Sequence, residues 1–155
     1  MTTRSFPRNS GSSHLAMMAL AVLTLVWAGM VIGVSGLATP VKFAAPSLSL
    51  PVALDVGRTT FRFFTRVEWG LGLLLVLLTP SLRRRRLLLL PVLFIVATLL
   101  LQALYLLPRL DLRVAAIISG QMPPPSSLHA WYTAAEAGKL AALLVLGVAA
   151  MRRPQ

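Results

Sequence analysis

The sequence predicts an all-α integral membrane protein: a four-helix bundle of up-down-up-down topology, with a short interfacial amphipathic helix ahead of the second span. Three observations carry this. The 155 residues are 57% hydrophobic and 12% charged, whereas charged residues make up about 25% of a soluble domain. The apolar residues fall into four runs separated by Pro, Arg or Ser, and a helix needs about 20 such residues to cross a bilayer. The net charge of +11, from 15 Lys and Arg against 4 Asp and Glu, gathers at the ends of those runs, where positive charge orients a membrane protein and meets anionic lipid head groups. One bundle over residues 15–151 uses the length, and nothing remains for a soluble domain.

Residues 1–14 are polar and read as a disordered cytoplasmic tail. The first span covers residues 15–37. A cleavable signal peptide is the competing reading, since Gly36-Leu37-Ala38 offers small residues. The apolar stretch is longer than the roughly 7–15 residues of a signal core, and Pro40 would fall just after the cut. Gly29 and Gly33 form a GxxxG, and Gly36 continues the same face. Such a face lets a neighbouring helix approach closely, either inside the bundle or at a dimer seam.

Residues 38–49, with Pro40 and Pro46, are expected to form a loop. Asp55, Arg58, Arg62 and Arg66 then step along one helical face opposite Val56, Phe63, Phe64 and Val67, the pattern of an interfacial lead-in. The second span follows over residues 61–79 and stops at Pro80. Arg83, Arg84, Arg85 and Arg86 form a turn between spans, read either as a topology signal or as a site for lipid head groups. The third span is residues 87–107, with Pro91 near its start, where a helix tolerates it best. A polar loop runs from Pro108 to Leu128, the fourth span covers residues 130–151, and residues 152–155 form a second tail.

Orientation follows from the distribution of positive charge. With both termini cytoplasmic, the inner side holds Arg4, Arg8, Arg83 to Arg86, Arg152 and Arg153. The outer side holds Lys42, Arg58, Arg62, Arg66, Arg109 and Arg113, together with Asp55 and Asp111. The inner positives crowd the span ends, so both termini are expected in the cytoplasm. The Arg-rich, Lys-poor composition associates the chain with a bacterial inner membrane.

The candidate site lies in the last span. His129, Tyr132, Glu136 and Lys139 are spaced 3, 4 and 3 apart, which stacks them on one helical face. An ionisable residue in a span costs roughly 2.5–3.5 kcal/mol on insertion scales, so a pair needs a physical reason. At about 1.5 Å rise per residue, Glu136 and Lys139 lie roughly 9 and 14 Å below the outer start of the span. Gln102 lies about 8 Å below the outer end of span three, and Glu68 about 9–12 Å below that of span two. Groups at shared depth in hydrocarbon should turn toward one another. The expected intramembrane site is therefore Glu68, Gln102, Tyr105, Tyr132, Glu136 and Lys139, with His129 at its mouth. Two carboxylates beside one ammonium leave a net negative charge, which favours uptake of a proton. Structural glue and a ligand, ion or proton site both remain open, although membrane hydrogen bonds average only about 0.6 kcal/mol.

Several functions are disfavoured. With no cysteine, thiol nucleophiles and thiolate metal sites are excluded. No Ser lies at a recognisable spacing from a base, so the chain does not read as an enzyme. His14 and His129 fall on opposite sides of the membrane in this topology, which argues against metal or haem ligation, and no cofactor is expected. No basic patch with interleaved aromatics sits on a soluble element, so nucleic acid is not a partner. The expected partners are membrane lipids and either a second copy or another membrane protein at the glycine face. The reading is a small transport or proton-linked component, or alternatively a structural or assembly subunit.

Short signals along the chain resemble a known group. The small-residue first span runs into Ala38-Thr39-Pro40-Val41-Lys42-Phe43. Val56-Gly57-Arg58 precedes Phe61, Arg66, Glu68 and Trp69, and the chain closes on His129-x-x-Tyr132-x-x-x-Glu136-x-x-Lys139. Over residues 15–151 these features are similar to bacterial proteins of the transmembrane-protein-205-like group. The resemblance implies a four-span membrane protein without a settled activity, in which Arg58, Glu68, His129, Tyr132, Glu136 and Lys139 form one site. It supplies no substrate. The Arg-rich second loop and Pro-rich first loop have no place in the group's pattern.

Overall fold

The computed structural model describes residues 10–82 and 85–152. Arg83, Arg84, Arg153 and most of the N-terminal tail lie outside them. The described residues are all-helical, with no strand. Four long rods result. The first is α1 (Ser10–Val31), a π-helical segment Ile32–Ala38, and α2 (Thr39–Ala44). The second is α3 (Leu50–Leu78). The third is α4 (Leu89–Leu101), a second π-helical segment Gln102–Leu106, and α5 (Leu107–Ile118). The fourth is α6 (Leu128–Met151). Three stretches are long and apolar enough to cross a membrane: His14–Ala44, Arg86–Ile118 and Leu128–Met151. The second rod has the length, but Arg62, Arg66 and Glu68 interrupt its apolar half.

The first parts of two expected loops are helical, as far as Ala44 and Ile118, for one shared reason. From the sequence, Pro40 predicts the end of the first helix and Pro108 that of the third. A proline inside a helix lacks its N–H, and its ring collides with the carbonyl four residues back. Each proline lies two residues past the end of a π-helical segment, which widens the helix before the ring arrives. The backbone N–H of Thr39 reaches five residues back to the carbonyl of Val34, and that of Leu107 to Gln102. The Thr39 hydroxyl also donates to the Val34 carbonyl at 2.8 Å. The first rod therefore continues to Ala44, and the third to Ile118. The latter ends at Gly120, whose φ of 82° reverses the chain. The interfacial lead-in is not a separate helix either: it is the first half of α3, unbroken into the apolar half.

The rods pack in a ring. The first lies against α6 and α3, and α4 lies against the same two, so α3 and α6 face each other across the diagonal. The core is filled by Leu20, Trp27, Leu75, Ile95, Leu143 and Leu146, all fully buried. Large apolar side chains such as Leu73, Leu77, Leu93 and Val145 point outward, as suits a rod bundle in lipid. Close approach depends on glycines other than the expected ones. A Cβ on Gly147 would stand 2.8 Å from Leu25 and 2.9 Å from Thr24, and one on Gly72 2.9 Å from Leu99. One on Gly138 would meet Phe94 at 3.0 Å.

Gly29, Gly33 and Gly36, expected as packing positions, meet no atom within 4 Å of an added Cβ. Gly29 is two residues from the buried Trp27, about 200° around a helix of 3.6 residues per turn. The glycine face therefore looks out of the bundle.

Candidate functional site

The centre of the bundle holds a closed network of polar side chains from all four rods. The Lys139 ammonium, 0% exposed, lies 2.5 Å from Glu68 Oε1 and 2.6 Å from Glu136 Oε1. It also donates to Gln102 Oε1 at 2.9 Å. Since α3 and α6 sit on the diagonal, the pair with Glu68 crosses the middle of the ring. Gln102 returns its amide N–H to Glu136 Oε1 at 2.8 Å. The Trp27 indole N–H donates to Glu68 Oε1 at 2.9 Å, and the Ser35 hydroxyl to Glu136 Oε2 at 2.9 Å. Among the described residues, no fully buried side-chain polar atom lacks a partner. This is what low dielectric demands, because an unpaired buried polar group costs more than a typical hydrogen bond returns.

Local backbone shape places the two amide and hydroxyl partners. Ser35 lies within the first π-helical segment and Gln102 opens the second. Each wide turn lets its rod continue past a proline while swinging a polar side chain onto Glu136. The prolines and the network are thus parts of one construction.

The expected site divides in two. Glu68, Gln102, Glu136 and Lys139 come together as the depth reading predicts. Tyr105 does not join them. It is 48% exposed, with the Arg109 guanidinium stacked 3.5 Å from its ring centroid. Its place on α4's continuation is about 300° from Gln102, but the π-helical turn rotates it outward. Tyr132 is buried one turn from Glu136 and meets the Phe61 ring edge-on, with centroids 5.5 Å apart. Arg58 and His129 line a separate opening beyond Tyr132. Trp27 and Ser35 are network members that the sequence reading missed. For Trp27 a signal was available, since it lies about 200° around the first rod from Gly29; Ser35 sits inside the π-helical segment, where the 3.6-residue count does not hold.

That opening lies among α2, the first half of α3, α5 and the start of α6, with about 560 Å³ of empty space counting its mouth. Lys42, Arg58, Asp111, His129 and Tyr132 are its ionisable lining residues. Asp111 is engaged by Arg62 at 2.7 Å and, more loosely, by Arg58 at 3.9 Å. At the other end of the bundle, Arg85 donates to the carbonyls of Ala149 and Arg152 at 2.7 and 2.8 Å. These carbonyls are left over where α6 ends. Arg85, expected at lipid head groups, is thus committed to a helix end, while Arg86 is exposed.

Comparison with protein families, with curated proteins and with solved structures gave no match.

Proposed function

We propose that this chain is a four-span integral membrane protein of a bacterial inner membrane, with both termini cytoplasmic. In this reading it is not an enzyme but a small transport or proton-linked component, and its working site is the network around Lys139. The observation that carries the proposal is the charge count of a sealed site. Two carboxylates, Glu68 and Glu136, face one ammonium, and all three groups are at least nine-tenths buried. Glue alone needs one partner for one charge. A second buried carboxylate leaves room for one further positive charge, and a proton is the smallest that fits. The two π-helical segments support the same reading, because such segments cluster at functional sites.

The test is reconstitution in liposomes that carry an internal pH dye, with a potassium diffusion potential as driving force. The wild type should conduct protons faster than protein-free vesicles, and Glu136→Gln should lose the excess at equal protein content. A wild-type rate equal to that of empty vesicles would refute the proton-linked reading.

One observation favours the alternative, a structural or assembly subunit. Gly29, Gly33 and Gly36 leave an open strip on the first rod, where a second helix can approach to backbone contact. That reading expects Gly33→Leu to reduce the size of the detergent-purified assembly and to leave proton flux untouched.

A further inference from the structure

The opening beside Tyr132 combines surplus positive charge with apolar walls. Its lining holds two cations, Lys42 and Arg58, against one carboxylate, Asp111, with His129 at the rim. That carboxylate is already held by Arg62 and Arg58. Among the described residues Lys42 makes no ion pair and no hydrogen bond. Its ammonium lies 5.0 Å from the Phe43 ring centroid and 6.0 Å from that of Phe61, seated where Gly57 has no side chain. An ammonium held only by ring faces keeps its three N–H donors available. Around it the wall is aromatic and aliphatic, including Phe61, Leu107 and Val114.

We infer that this opening binds an anionic amphiphile, with a carboxylate or phosphate head on Lys42 Nζ and an alkyl chain along the Phe61, Leu107 and Val114 wall. A fully polar anion would leave that wall wet, and a neutral lipid would leave the ammonium without a counter-charge. Only a molecule with both parts satisfies both surfaces. The inference does not depend on the proton-linked reading, since none of Glu68, Gln102, Glu136 and Lys139 lines the opening.

The experiment is thermal melting of the full chain in a non-ionic detergent, titrated with four probes. Oleate is paired with its neutral counterpart oleyl alcohol, and phosphatidylglycerol with diacylglycerol, which lacks the phosphate. Oleate or phosphatidylglycerol should raise the melting temperature saturably, and their neutral counterparts should not. A response to oleate alone identifies a free amphiphile, and a response to phosphatidylglycerol identifies a membrane lipid. Lys42→Gln should weaken the responding probe at least about tenfold, in line with the loss of a charge-assisted hydrogen bond. Arg66→Gln, exposed and outside the lining, should respond like wild type. Val114→Trp fills the apolar wall and leaves every charge in place, so it should abolish the shift even if Lys42→Gln fails to fold. Equal shifts from charged and neutral probes would overturn the proposal, as would an undiminished response in Val114→Trp.

Discussion

Replacing Lys139 with Met is the sharpest perturbation of the buried network. Methionine keeps the length and apolar stem of lysine and removes only the ammonium. Glu68 and Glu136 are then left facing each other, 1% and 5% exposed. Gln102, Ser35 and Trp27 still donate to them, but none carries a charge. Breaking a buried ion pair by deleting one partner typically costs 3–5 kcal/mol, because the remaining charge has no counter-charge in low dielectric. In a chain of this size about 1 kcal/mol corresponds to roughly 2–4 °C, so the expected fall in melting temperature is roughly 6–20 °C. The triple change Lys139→Met, Glu68→Gln and Glu136→Gln removes all three charges and keeps the volumes. Replacing a whole buried charge cluster by neutral groups is often close to neutral. The triple variant should therefore melt within about 2 °C of wild type, well above the single. The assay is detergent melting of purified protein, with membrane accumulation measured in parallel. If Lys139→Met melts with wild type, or if the triple variant is no better than the single, the carboxylates are not held by that ammonium and the network does not exist as described.

Two further outcomes check the packing and the topology. Gly147→Leu forces a side chain into Leu25 and Thr24 and should lower stability by about 1–3 kcal/mol or more. Gly29→Leu meets open space and should stay within about 0.5 kcal/mol; a reversed order in detergent melting would contradict the placement of the first rod. Reporter fusions at Gln155 and Arg86 should mark the cytoplasm and one at Pro124 the outside. An external C-terminus would leave only three crossings, those of the three apolar helices.

The parts of the fold and site that could be read from the sequence were those governed by composition and helical spacing. Apolar runs located the rods, and depth arithmetic put Glu68, Gln102, Glu136 and Lys139 at one level. Composition does not report rotation. A GxxxG motif predicts a packing face because small residues allow contact, but here the bulkier Trp27 side faces the core and the glycines face away. Tyr105 failed for a related reason: a π-helical turn between it and Gln102 breaks the 3.6-residue count on which the stripe depended. Prolines predict helix ends, whereas Pro40 and Pro108 sit just beyond wide turns that absorb them. A proline two residues after a π-helical segment is the local signature that joins both errors. It also marks where Ser35 and Gln102 reach Glu136.

The second rod is where composition and packing pull apart most clearly. By hydropathy α3 is the poorest candidate to cross a membrane, because Arg62, Arg66 and Glu68 lie in or beside its apolar half. An unpaired charge at mid-bilayer is costly, yet two of these three have partners on other rods. Glu68 is held by Lys139 of α6 and Trp27 of α1, and Arg62 by Asp111 of α5. Arg66 is exposed, with a side chain long enough to extend toward an interface. The charges that disqualify α3 as an isolated span are therefore largely the ones that fasten it to its neighbours. Three apolar helices can enter lipid on their own hydropathy, whereas α3 fits there only once Lys139 and Asp111 are in place. This is consistent with the four-span proposal although α3 falls short of the other three helices in hydropathy. In that proposal the diagonal ion pair between α3 and α6 is the contact on which the second crossing depends.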